Sequence, residues 1–145
     1  MINIKGQIMN ATVFPLRTID KIRYADTDRQ GHVNNAVFGT FLETGRVEIL
    51  YDDSLGIRSE NASFVIANLN INFRREIVWP GEVEILTGIK KVGNSSIKIY
   101  QEIHQNQKVC ADAETTIVQV KEGQSEKLSD LAKVKLETWR LKTEA

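Results

Sequence analysis

The chain of 145 residues holds a single cysteine, Cys110. It has no partner for an intrachain disulfide, which suits a reducing compartment. An excess of either charge is also missing, since Lys plus Arg and Asp plus Glu both total 19. A general nucleic-acid binder usually carries a basic surplus, so that class is set aside. The same balance leaves little long-range repulsion to oppose self-association. No apolar run approaches the ~20 residues that span a bilayer. The first ten residues, MINIKGQIMN, lack the basic start and long apolar stretch of a secretory signal. Internal repeats and low-complexity tracts are absent as well. The expectation is a soluble cytoplasmic protein with no membrane partner. One domain, residues 1–145, fits this length, because two would each be too small to build a good core.

What is present is a pattern of strands around one long helix. Residues 1–16 read as a lead-in ending near Pro15, and residues 17–24 as a first strand with Ile22 and Tyr24 on one face. Ala25 to Asn35 is polar and turn-rich, with no apolar run to bury, and reads as a loop. Residues 35–52 place Phe38, Phe41, Leu42, Gly45 and Ile49 on one helical stripe. Asn34 is the natural N-cap, since its side-chain oxygen can accept a free backbone N–H of the first turn. Gly45 on that stripe costs roughly 0.8–1 kcal/mol of helix propensity, which close approach to a sheet would offset.

Leu69, Ile71 and Phe73 alternate with Asn68, Asn70 and Asn72, a period of two that marks a strand from 64 to 77. Strands at 82–92, 96–105 and 108–121 follow, separated by Gly93-Asn94 and Asn106-Gln107. A short helix from Leu128, carrying Leu131, Val134, Leu136 and Leu141, ends the chain. Successive strands with tight turns imply an antiparallel sheet. The helix must pack on one face, which gives an α+β fold. The other face needs cover or must tolerate water.

The most informative segment runs from Tyr24 to Phe38: Y-A-D-T-D-R-Q-G-H-V-N-N-A-V-F. An Asp-x-Asp pair, a Gly three residues on, and a helix opening with Asn and an aromatic resemble the signature of the hotdog-fold 4-hydroxybenzoyl-CoA thioesterases. The likeness is densest from Arg23 to Glu48. The His-Val-Asn-Asn block is also similar to acyl-ACP thioesterases. The resemblance implies a five- to six-stranded antiparallel sheet wrapped around the helix. It implies homo-oligomers in which two sheets join edge to edge, with sites at the subunit interface. It implies an acyl-CoA substrate, with Asp28 as the catalytic carboxylate and the amide at Asn35 binding the thioester oxygen. No metal or organic cofactor is required.

The chemistry agrees. An ordinary aspartate, with a pKa near ~3.9, is anionic at neutral pH and can attack a thioester directly or draw a proton from water. Free N–H groups at a helix N-terminus favour the negative charge that develops on the carbonyl oxygen. His32 is either a structural tie of the loop or part of the catalytic group. The acyl-ACP enzymes have Asn two residues before that His, where this chain has Gln30. Gly31 and Asn34 of the motif are expected to contact substrate, while Asn34 and Asn35 also cap the helix and fix the loop; Asp26 reads as turn chemistry, and Glu43 is a reserve carboxylate on the helix. Arg74 and Arg75, or Lys90 and Lys91, offer cations for CoA phosphates, though adjacent strand residues face opposite ways and one of each pair serves at most. Gly93 to Ser96 resembles a segment near the pantetheine arm, but a plain hairpin explains it too. Phe38, Phe41, Phe64 and Trp79 line an acyl pocket or fill the core. Cys110 reads as a small packed residue.

Two other functions compete with acyl-CoA hydrolysis. One is action on acyl-ACP; the other is acyl-CoA binding without turnover. A dehydratase fits less well, since His104, the only other histidine, ends a strand with no partner motif.

Overall fold

The computed structural model describes residues 11–144. A short strand β1 (Ala11–Val13) leads into β2 (Leu16–Lys21), and α1 (Asn35–Leu50) precedes β3 (Ser63–Phe73), β4 (Glu82–Val92), β5 (Ser96–Gln105) and β6 (Lys108–Lys121). The two-residue β7 (Gln124–Ser125), α2 (Asp130–Glu137) and β8 (Lys142–Glu144) complete the order. The main sheet runs β2-β4-β5-β6-β3, with β7 added on β6, and every pairing is antiparallel. β1 and β8 form a separate two-stranded ribbon. The sheet curls around α1, as a hotdog fold requires.

The α1 stripe does what its spacing predicts. Phe38, Phe41, Leu42, Gly45 and Ile49 are all buried against the sheet. Phe41 and Leu42 are fully enclosed, and each such side chain contributes roughly 1.5–3 kcal/mol through burial. The first half of α1 packs on Ile77, Val83, Ile85 and Ile103. The second half packs on Ile89, Ile97, Ile99 and Ile117, and this part of the core is closed by Leu128, Ala132 and Leu136. Between the halves lies a polar seam. Gln101 Nε2 donates to the Leu42 carbonyl and to Thr87 Oγ1, both at 2.9 Å. Gly45 crosses here because a Cβ would lie 2.6 Å from Ile85 Cγ2. The outer face of the sheet carries Arg17–Glu84, Arg74–Asp112 and Lys90–Glu114 ion pairs, so that face tolerates water.

Several expected boundaries shift. The first strand ends at Lys21, and Tyr24 opens a single 3₁₀ turn, Tyr24–Asp26. Tyr24 is therefore 74% exposed while Ile22 is buried, so the two do not share a face. β3 stops at Phe73 rather than 77, because the N–H groups of Arg74 and Arg75 both donate to the Cys110 carbonyl and break the ladder. The last helix begins at Asp130, behind a Ser129 cap that accepts from Ala132 N–H. Its buried side is Ala132 and Leu136, whereas Leu131 and Val134 face out. Part of the lead-in, residues 1–10, lies outside the described residues; Ala11–Val13 of it pairs with Lys142–Glu144.

Candidate active site

The loop between β2 and α1 is held by its own main chain. The Asp28 N–H donates to the His32 carbonyl at 2.8 Å, and Thr27 bridges Val33. Gly31 sits at φ +79°, a left-handed conformation that glycine adopts without strain. Asp26, which reads in sequence as turn chemistry only, is a buried anchor. Its Oδ2 accepts the Arg23 N–H at 2.8 Å, and its carbonyl accepts the Asn34 N–H at 2.8 Å. The loop is also tied to the segment after β3, through Val33 N–H to Ile77 O and Trp79 N–H to Gly31 O.

This bracing fixes Asp28. Its Oδ1 accepts the N–H of Gln30 at 2.8 Å and of His32 at 3.2 Å, while the residue stays exposed. Among the described residues, Oδ2 has no hydrogen-bond partner. Asn34 caps α1 by accepting the Ala36 N–H at 2.9 Å. Asn35, the first residue of the helix, is exposed.

Asp28, His32, Asn35, Phe38, Arg74 and Arg75 share one cavity of about 370 Å³, which also takes in Phe73 and Glu76. A volume of roughly 300–1,000 Å³ is usual for a small-molecule site. Phe38 is buried and meets Phe73 edge-on, with ring centroids 5.1 Å apart, so it serves core and cavity wall together. Among the described residues the His32 ring makes no hydrogen bond to the Asp28 carboxylate. Its Nε2 lies 3.2 Å from Glu76 Oε2 across the cavity. The two arginines differ. Arg74 Nε holds Asp112 Oδ2 at 2.7 Å, and that bond raises the Arg74 pKa. Arg75 makes no ion pair among the described residues.

Not every expected residue arrives. Gly31 and Asn34 shape the loop and cap without lining the cavity. Ser96 pairs with Val118, which pairs with Val65 on β3. That is eight residues along β3 from Phe73, roughly 26 Å at ~3.3 Å per residue. Glu43 faces a different cavity, and Lys90 is engaged by Glu114 at 2.6 Å. Phe41 is core, Phe64 lines the Glu43 cavity, and Trp79 packs edge-on against Tyr24 on the surface. Glu76 went unseen in the sequence, where no spacing ties it to His32; only the fold of the segment after β3 brings it in. Burial pushes the Cys110 thiol up, as its place in the core implies.

Known proteins share this fold. Residues 22–138 match the Thioesterase-like superfamily. The chain is similar to the long-chain acyl-CoA thioesterase FadM of Escherichia coli strain K12, 33% identical over 107 residues, covering 71% of this chain and 81% of that protein. Among solved structures it resembles a predicted thioesterase from Bacillus stearothermophilus, with TM-score 0.79, 30% identity and coverage of 90% and 97% of the two chains. It also resembles a thioesterase from Thermus thermophilus complexed with coenzyme A and Zn, with TM-score 0.76, 25% identity and coverage of 86% and 98%. With its curled sheet, its central helix and this match over most of its length, the chain belongs to the Thioesterase-like superfamily and is a hotdog-fold thioester hydrolase.

Proposed function

We propose that the protein hydrolyses acyl-CoA thioesters to free acid and CoA, with Asp28 as the reacting carboxylate. The observation that carries this reading is the aim of Asp28. Its Oδ1 is tied by two backbone N–H groups, which leaves Oδ2 for chemistry at a cavity that also takes in the first residue of α1. Either the carboxylate attacks the thioester carbonyl or it draws a proton from an attacking water. In both routes negative charge grows on the carbonyl oxygen, and the Asn35 N–H at the helix start donates to it. The His32–Glu76 contact positions the loop rather than the reacting atoms. Arg75, free of an ion pair among the described residues, is the cation for CoA phosphate, and Arg74 is committed to Asp112.

The similarity to FadM supports a long acyl chain and a CoA carrier, and the coenzyme A in the Thermus structure supports the same carrier. The whole chain acts as one hotdog unit and as a homo-oligomer. β3 is one edge of the sheet, with β2 the other, and Val65, Ile66, Leu69 and Phe73 on β3 are all at least 40% exposed. A bare apolar edge invites pairing. Antiparallel pairing of two β3 strands would bring the partner's end of the sheet that carries Ser96 towards the Asp28 cavity. Among the described residues no helix is long and apolar enough to cross a membrane, and the single buried cysteine suits the cytoplasm.

The test is thiol release from acyl-CoAs of increasing chain length, beside the matching acyl-ACPs. Turnover that favours long acyl-CoAs is expected. Turnover of acyl-ACP alone moves the carrier, and tight acyl-CoA binding with no thiol released makes the protein a binding module.

A further inference from the structure

Arg46 is the one buried cation among the described residues, at 6% exposure, and its Nη1 has no hydrogen-bond partner. It faces a second cavity of about 300 Å³ between the later half of α1 and the start of β3. Leu50, Phe64, Ile66 and Ile117 make that cavity largely apolar, and Glu43 lies at its side. Glu43 and Arg46 are one helical turn apart, yet they form no ion pair with each other. Burial pulls the Arg46 pKa below its ordinary value, and the charge of Glu43 works against that. A buried guanidinium nitrogen without an acceptor is costly, so Nη1 of Arg46 calls for an acceptor that its own chain does not supply among the described residues.

The cavity adjoins the β3 edge of the sheet. α1 runs antiparallel to β3, since Phe38 near its start meets Phe73, and Tyr51 just past its end meets Phe64. A twofold axis through the middle of β3 therefore passes closest to the middle of α1, where Glu43 and Arg46 lie. Twofold contacts are reciprocal: where one residue meets another, the second meets the first. An acid and a base one turn apart on one helix are self-complementary in that sense. A small free carboxylate is disfavoured, because Glu43 already places a negative charge beside the cavity, whereas a second copy brings a carboxylate and at the same time offers its own Arg46 to this Glu43.

We infer that a second copy of this chain covers the cavity, and that Arg46 of each copy pairs with Glu43 of the other across the twofold axis. This deepens the homo-oligomer reading above and rests on it. The ion pairs fix the register of the two β3 edges, since sliding one strand by two residues would part both.

Sedimentation velocity over a concentration series tests this without any reference to catalysis. The variants are Glu43→Arg, Arg46→Glu, the double exchange, and the mild Glu43→Gln, whose exposed position keeps the fold safe; circular dichroism checks each. Both charge reversals should raise the dimer dissociation constant at least about tenfold, and Glu43→Gln should raise it measurably. Mixing Glu43→Arg with Arg46→Glu at equal amounts should restore the dimer, because both ion pairs re-form only between the two different chains. Restoration by the double exchange but not by mixing would put the pair inside one chain and overturn the proposal. So would single variants that dimerise as tightly as wild type. A monomeric wild type that binds dodecanedioate through Arg46 would overturn it in favour of a small carboxylate. Dimerisation without thiol release would count against the hydrolase reading alone.

Discussion

Asp28 and His32 close one loop on each other, the Asp28 N–H donating to the His32 carbonyl at 2.8 Å and the His32 N–H donating back to Asp28 Oδ1 at 3.2 Å. The carboxylate is thus oriented by main chain, and the imidazole is left to meet Glu76 at 3.2 Å. Substituting the His32 ring leaves these backbone bonds in place. The proposed reacting carboxylate and the residue four positions after it are thus joined through backbone hydrogen bonds.

Asn35→Pro is the variant that isolates the proposed oxyanion donor. Asn35 is the first helical residue, where proline is well tolerated. Asn34 before it is at φ −58° and ψ 135°, a conformation that a following proline accepts. The substitution deletes the N–H and keeps the helix. Thiol release should fall roughly 10²–10³-fold in kcat, with stability changed by less than about 1 kcal/mol in urea denaturation. Asn35→Ala keeps the N–H and should retain most of the rate.

Asn34→Ala should show the opposite pattern. Its side chain accepts the Ala36 N–H at 2.9 Å, and losing such a cap costs about 0.5–2 kcal/mol. Urea denaturation should record that loss, with a smaller effect on turnover than Asn35→Pro has.

The two glycines of α1 should respond in opposite directions to alanine. At Gly45 a Cβ would meet Ile85 Cγ2 at 2.6 Å and Thr87 Oγ1 and Gln101 Nε2 at 2.9 Å. Gly45→Ala should therefore destabilise by about 1–3 kcal/mol despite better helix propensity. At Gly39 nothing lies within 4 Å, and Gly39→Ala should stabilise by up to about 1 kcal/mol. Denaturant midpoints of the two variants provide the comparison.

That contrast shows how far the sequence reaches. The α1 stripe, the Asn34 cap and the close approach at Gly45 were legible because period and propensity are local. The three strands from Glu82 to Lys121 were legible for the same reason, bounded as they are by turns at Gly93 and Asn106. The end of β3 was not, because it depends on Cys110 of another strand accepting from both Arg74 and Arg75. The cavity residues Asp28, Asn35 and Phe38 came from one contiguous motif. Glu76 and Arg46 did not, since a carboxylate after two arginines and an arginine on a helix look like solvated charges until the fold encloses them. Asp26 was underread for a related cause: turn-forming aspartates and buried anchors share the same local pattern.

Acid should weaken the fold through the outer face of the sheet. Arg17 holds the Glu84 carboxyl below its usual 4.5, and Lys90 and Lys98 do the same for Glu114. Partial burial pushes Asp112 up, but bonds from Arg74 and Asn72 outweigh it and leave the group below its usual 3.8. A folded pKa below the unfolded one gives stability that is present above the unfolded value and lost as pH falls through the folded value. The loss should therefore begin near pH 4.5 and continue below 3.8, at about 1 kcal/mol or less for each exposed pair. Denaturation at pH 7, 4 and 3 should show a flatter acid limb for the Glu84→Gln, Asp112→Asn, Glu114→Gln triple variant.

The most direct test of the account is thiol release by wild type and Asp28→Asn on the best acyl-CoA of the panel. Asparagine keeps an Oδ1 to accept from Gln30 and His32, so the loop and the melting temperature should survive. kcat should fall at least about 10²-fold, because the anion proposed to attack or to take the proton is gone. A folded Asp28→Asn that turns over as fast as wild type would contradict it.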